Sequence, residues 1–101
     1  MNEAVESLLK AQDLFDKGEI GFIKKYYYKR TKRGSKYVDG YCSLGWLLND
    51  RGYSILPPNI RRTLASFNDN YIPIRSKIPF KLAAEKLESL ISEIEENEND
   101  N

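Results

Sequence analysis

YVDGYCSLGWLLND, residues Tyr37 to Asp50, holds the only Cys and the only Trp of the chain and its densest run of apolar side chains. It reads as a short buried helix. Asp39 is positioned as its N-cap, where a carboxylate accepts from the free amides two or three residues on. Tyr41, Leu44, Gly45 and Leu48 then share one face, with Cys42 and Trp46 beside them. A glycine inside a helix costs about 1 kcal/mol relative to alanine, so Gly45 predicts a second backbone lying against it.

Working outward, a basic, Tyr-rich stretch precedes this helix and helical patterns flank the whole. Asn2 to Lys17 is amphipathic, with Val5, Leu8, Leu9, Leu14 and Phe15 at spacings of three and four, and Gly18 is its C′ residue. From Ile20 to Val38 the pattern changes to β-formers, Phe22, Ile23, Tyr26, Tyr27, Tyr28, Tyr37 and Val38, around a polar turn from Arg30 to Ser35. A two-stranded antiparallel hairpin at about 22–38 follows from that. On strand alternation Tyr26 and Tyr28 share a face with Phe22 and Lys24.

Downstream, Pro57 and Pro58 open a third helix that buries Ile60, Leu64 and Phe67 and leaves Arg61 and Arg62 outside. Tyr71 to Ile78 is an extended connection whose Ile72, Ile74 and Ile78 touch the core, and Pro79 starts a last helix striped by Phe80, Ala83, Ala84, Leu87, Leu90, Ile91 and Ile94. The expected fold is mostly α, four helices with a small hairpin, as one compact domain over 1–95, followed by an acidic, disordered tail at 96–101.

Composition narrows the chemistry. One Cys makes no intramolecular disulfide, and without His the usual zinc ligand sets are missing, so no metal and no cofactor is expected. The lone thiol predicts a reducing compartment. With no apolar run near 18 residues and no charged start followed by an apolar stretch, the expectation is a cytoplasmic protein with no membrane partner. Cys42 on the apolar side of a helix, with no His as base, reads as an inert small hydrophobe. Asp39, Asp50 and Asp69 stand at predicted element ends, where capping accounts for them. The six glycines match no phosphate-cradling loop.

Charge is segregated: residues 1–19 carry −3, 20–39 +6, 40–84 +4 and 85–101 −6. Lys24, Lys25, Lys29, Arg30, Lys32, Arg33 and Lys36 interleave with Tyr26, Tyr27, Tyr28 and Tyr37. Cations neutralise phosphates and Tyr rings stack on unpaired bases. The same residues also serve as the solvated rim of an exposed hairpin, which blunts a sheet edge. Arg61, Arg62, Asn68 and Asp69 are secondary candidates.

Gly40-Tyr41-Cys42, Leu44, Gly45 and Leu47, then Phe67-Asn68-Asp69, then Ala84 to Ile91 resemble the motifs of a family of small uncharacterised proteins from bacteria and their phages. There a Tyr-Cys-x-x-Gly helix is followed by an aromatic-Asn-Asp segment and a final amphipathic helix. This chain departs from it in Trp46, in Phe67 and in a longer connection from Asn70 to Pro79. The resemblance implies a structural cap at Asn68 and Asp69 and a phage-type or mobile-element setting, such as host takeover or anti-defence inhibition. The expected function is non-catalytic binding, through the hairpin, of nucleic acid or of a protein that handles it. Two other readings stay open: a small hydrolase using Asp39, Asp50, Asp69 or Cys42, and a protein-only adaptor using the acidic last helix.

Overall fold

The computed structural model describes the backbone of residues 1–99 and the side chains of residues 1–96. Helix α1 spans Asn2–Asp16 and closes with the two hydrogen bonds of a Schellman turn, Glu19 N–H to the Leu14 carbonyl and Gly18 N–H to the Phe15 carbonyl, with Gly18 at φ +76°. Strands β1 (Ile20–Phe22), β2 (Tyr28–Arg33) and β3 (Lys36–Tyr41) follow, then helices α2 (Ser43–Asn49), α3 (Pro58–Asn70) and α4 (Pro79–Asn99).

Four helices are present, but the β-structure is a three-stranded mixed sheet and not a lone hairpin. Its order is β1-β3-β2, with β1 parallel and β2 antiparallel to the central strand. Ile20, Gly21 and Phe22 pair with Asp39, Gly40 and Tyr41, and they bury Ile20 and Phe22 in the core. Three residues are too few to show a period, which is why β1 reads as the start of a longer strand. The turn is the two-residue Gly34-Ser35, so Arg30 to Arg33 extend the ladder. Residues 24–27 leave the sheet as a bend, with Lys25 at φ 71°, which breaks the alternation expected from Phe22 to Tyr28.

The stretch Tyr37–Asp50 divides into strand and helix. Asp39 stays in β3, and the N-cap of α2 is Cys42, whose Sγ accepts from Gly45 N–H at 3.2 Å. With the helix beginning at Ser43, Leu47 turns inward at 1% exposure while Leu48 lies half in water. Gly45 meets a second backbone as its composition predicts. A Cβ built there would stand 1.8 Å from the Tyr27 carbonyl oxygen.

The core is filled from α1 by Leu8, from α2 by Leu44, Trp46 and Leu47, from α3 by Leu64, and from α4 by Phe80 and Leu87. Phe22 and Phe15 both meet the Phe80 ring edge-on, at 5.7 and 6.1 Å. Gln12 of α1 caps α4 from a distance, its Oε1 accepting from the amides of Phe80 and Lys81, both at 3.1 Å. Of the apolar connection only Ile72 is buried; Ile74 and Ile78 are exposed, and so is Leu9 on α1. Phe67 is only partly covered, and Asn68 takes the buried position beside it. Helix α4 continues past Glu95 to Asn99, so 96–99 are helical where a disordered tail was expected; Asp100 and Asn101 lie outside the described residues. Among the described residues no helix is long and apolar enough to cross a membrane.

Candidate functional site

The hairpin sends its charges to two faces, because residues paired across β2 and β3 share a side. Tyr28, Arg30 and Lys32 lie opposite Tyr41, Asp39 and Tyr37. On that face Asp39 accepts from the Tyr28 hydroxyl at 2.8 Å and from the Arg30 guanidinium at 3.1 Å, and Arg30 also donates to the Tyr37 carbonyl at 3.3 Å. The Tyr28 hydrogen bond and then Arg30 hold the Asp39 carboxyl below its ordinary range. The same bond pushes the Tyr28 phenol up. Tyr28 tilts over Tyr41, which meets Trp46 edge-on, so this face is stitched to the core.

On the other side β2 and β3 pack closely around Gly40. A Cβ on Gly40 would stand 2.6 Å from the Lys29 carbonyl and 2.8 Å from the Thr31 methyl, so Gly40 lets β2 fold in against its neighbour. Arg33 ties the end of β2 to α1 and β1: its guanidinium donates to the carbonyls of Phe15, at the end of α1, and of Ile20, at 3.0 Å for the latter, and lies 3.9 Å from the centre of the Phe15 ring. A cation on the last carbonyls of a helix also meets the negative end of its dipole.

Between β2 and the connection 71–78 runs a groove of about 500 Å³. Lys24, Tyr26, Lys29, Arg30, Lys32 and Arg33 line it from the hairpin side, and Ile74, Arg75, Ser76 and Lys77 from the other; Phe15, Phe22, Ile23 and Thr31 complete the lining. Seven of these residues are cations and none is acidic. Arg30 and Arg33 are engaged within the fold, whereas Lys24, Lys29, Lys32, Arg75 and Lys77 form no ion pair among the described residues. Lys29 Nζ stands 5.5 Å over the Tyr26 ring, so cation and aromatic wall are adjacent. Among the described residues no carboxylate of α4 lines this groove.

The remaining expected site residues lie elsewhere. Lys36 is exposed beyond the groove lining, at the hairpin end opposite Arg33. Lys25 faces a pocket of about 210 Å³ that it shares with Tyr27, Cys42 and Asp69. Arg61 is drawn into structure, Nε donating to the Leu56 carbonyl at 2.8 Å and the guanidinium 4.7 Å from the Tyr53 ring. Arg62 belongs to a separate patch with Phe67, Tyr71 and Lys86. Asn68 and Asp69 form a brace. Buried Asn68 Oδ1 accepts from Ser43 N–H at 2.9 Å and Ser43 Oγ at 2.6 Å, serving as a remote cap for α2. Asp69 Oδ1 accepts from Asn68 Nδ2 and from the Lys25 amide, both at 3.0 Å, and so fixes the bend.

Asp39, Asp50 and Asp69 each hold different partners. Asp50 binds the Ser7 hydroxyl at 2.7 Å and Lys10 at 2.9 Å. Burial pushes the Cys42 thiol up, against the lowering effect of the Gly45 amide. Arg75 and Lys77 are the groove residues that sequence reading missed. Their signal in the sequence is the Arg-Ser-Lys step between Pro73 and Pro79, two cations set among the isoleucines of the connection. Comparison with protein-family models, curated proteins and solved structures returned no match.

Proposed function

We propose that the protein binds nucleic acid by laying backbone phosphates in the groove between β2 and the 71–78 connection. One observation carries the reading: five cations with no ion pair among the described residues, from three chain segments, converge on a groove whose described lining holds no carboxylate. Separate segments brought to one concavity of a single sign focus the field, which scattered surface lysines do not. Tyr26, 61% exposed beside Lys29, supplies a ring against sugar or base.

The test is a titration of labelled single-stranded and duplex oligonucleotides at 50 and 200 mM salt. With five phosphate contacts at a slope of about 0.7 to 0.9 each, affinity falls roughly 100- to 500-fold across that range. Replacing Lys29, Lys32, Arg75 and Lys77 with Gln removes most of the slope and leaves stability nearly unchanged, because these side chains are exposed. A wild-type protein that binds neither form at 50 mM salt refutes the proposal.

A further inference from the structure

At the C-terminal end of α3, beside its buried stripe, the partly buried Phe67 and the C-cap residue Tyr71 stack with ring centres 5.8 Å apart and planes within 17°. Tyr71 is 72% exposed, the most open of the large apolar side chains among the described residues, so one face of its ring is open to solvent. The ring pair borders a cavity of about 460 Å³ walled also by Arg62, Thr63, Ser66 and Lys86, with no carboxylate among the walls. Lys86 Nζ lies 5.6 Å from the Phe67 ring centre. Two parallel rings with two cations at their margin match the two halves of a nucleotide: a flat π-face for the base and positive charge for its phosphate.

The patch is joined to the basic groove by the chain itself. Tyr71 opens the connection whose Ile74, Arg75, Ser76 and Lys77 wall that groove. Tyr71 and Arg75 are four positions apart along the chain, so their Cα atoms are at most about 14 Å apart. A strand held by Arg75 and Lys77 therefore passes within a few nucleotides of the Tyr71 ring.

We infer that the Phe67–Tyr71 stack is a seat for an unpaired base of a single-stranded nucleic acid whose neighbouring phosphates occupy the basic groove. The inference rests on the proposed function and adds its specificity. In a duplex each base is already stacked and paired, so only a single strand offers a free base to Tyr71, while both offer phosphates to Lys29 and Lys77.

Tyr71→Ala and Tyr71→Trp, compared with wild type by fluorescence anisotropy on a short single strand and on a hairpin duplex, test this. Tyr71→Ala should weaken single-strand binding roughly 5- to 150-fold and duplex binding less than about twofold, with an unchanged salt slope because no charge is removed. Tyr71→Trp should restore single-strand affinity, and its indole emission should be quenched by the single strand only. Circular dichroism of both variants should match wild type, the site being exposed. If wild type binds with its salt slope but Tyr71→Ala weakens neither form, or both equally, the base seat is wrong and the groove stands. If wild type binds neither form at 50 mM salt, the groove itself fails and the base seat falls with it.

Discussion

Gly45→Ala pits two physical effects of opposite sign against each other. In an open helix interior the change stabilises by about 1 kcal/mol through helix propensity. Here the new methyl would stand 1.8 Å from the Tyr27 carbonyl oxygen. Carbon and carbonyl oxygen keep about 3.3 Å even in a C–H···O contact, so the bend at 24–27 has to retreat by about 1.5 Å. That bend is held by the Lys25 amide on Asp69 and by β2 at its far end, and it has little room to give. Overpacking of this kind costs about 3 kcal/mol at the upper end of its usual range, which leaves a net loss of about 2 kcal/mol. For a chain this size that lowers the melting temperature by about 8 to 16 °C. Urea unfolding with a shared m-value, alongside a thermal scan, measures it. A Gly45→Ala protein as stable as wild type, or more so, refutes the close contact.

Arg33→Lys should cost about 1 to 2 kcal/mol, since an ammonium cannot span the Phe15 and Ile20 carbonyls while stacking on Phe15, whereas Lys32→Ala should change stability by less than about 0.5 kcal/mol; equal effects in denaturant melts would contradict the division of the hairpin charges. Asn68→Ala leaves the Ser43 amide and hydroxyl buried without an acceptor and should cost about 2 to 4 kcal/mol, read by the urea midpoint. For Asp50, burial pushes the carboxyl up, but Ser7 and Lys10 outweigh it and the net shift is downward. A depressed folded value means that its contribution is complete above about pH 4 and is lost as pH falls through the folded value. Asp50→Asn should therefore flatten the acid limb of the stability curve, and an unchanged limb would show that the Ser7–Asp50–Lys10 contact carries none of it.

Periodicity made the long helices readable: the stripe of α4, the buried Ile60 and Leu64 of α3, and Val5 and Leu8 of α1 are where the spacing puts them, whereas Leu9 of the expected α1 stripe is exposed. Gly45 was legible too, because a residue that weakens a helix needs a reason to be there. What was not legible depends on partners distant in sequence. β1 is strand only because β3 pairs with it, so Ile20 to Phe22 carry no period of their own. Asp39 looks like a cap until Tyr28 and Arg30 claim it from the opposite strand. Helix α2 then takes Cys42, an unusual N-cap, and shifting the start turns Leu48 out and Leu47 in. The basic run was visible as composition, but composition counts Arg33 and Lys29 alike. Only the fold spends one on helix carbonyls and leaves the other free.

That distinction ties the groove to the core. One wall, Lys24 and Tyr26, belongs to a bend that has no ladder hydrogen bonds of its own. Its shape is imposed by the Gly45 face of α2 behind Tyr27 and by Asp69 on the Lys25 amide, while Asn68 fixes both helices against each other. The aromatic-Asn-Asp segment thus acts on the cations without touching them. Loosening the brace leaves every charge in place and still moves the wall. Binding should consequently fail in the brace variants while salt slope, which counts the phosphate contacts made by the strand that remains bound, declines only as far as Lys24 and Lys29 are displaced. The opposite wall, Arg75 and Lys77, has a brace of its own: it lies between Pro73 and Pro79, whose fixed φ limits its freedom, and Gln12 of α1 donates through Nε2 to the Lys77 carbonyl at 3.0 Å.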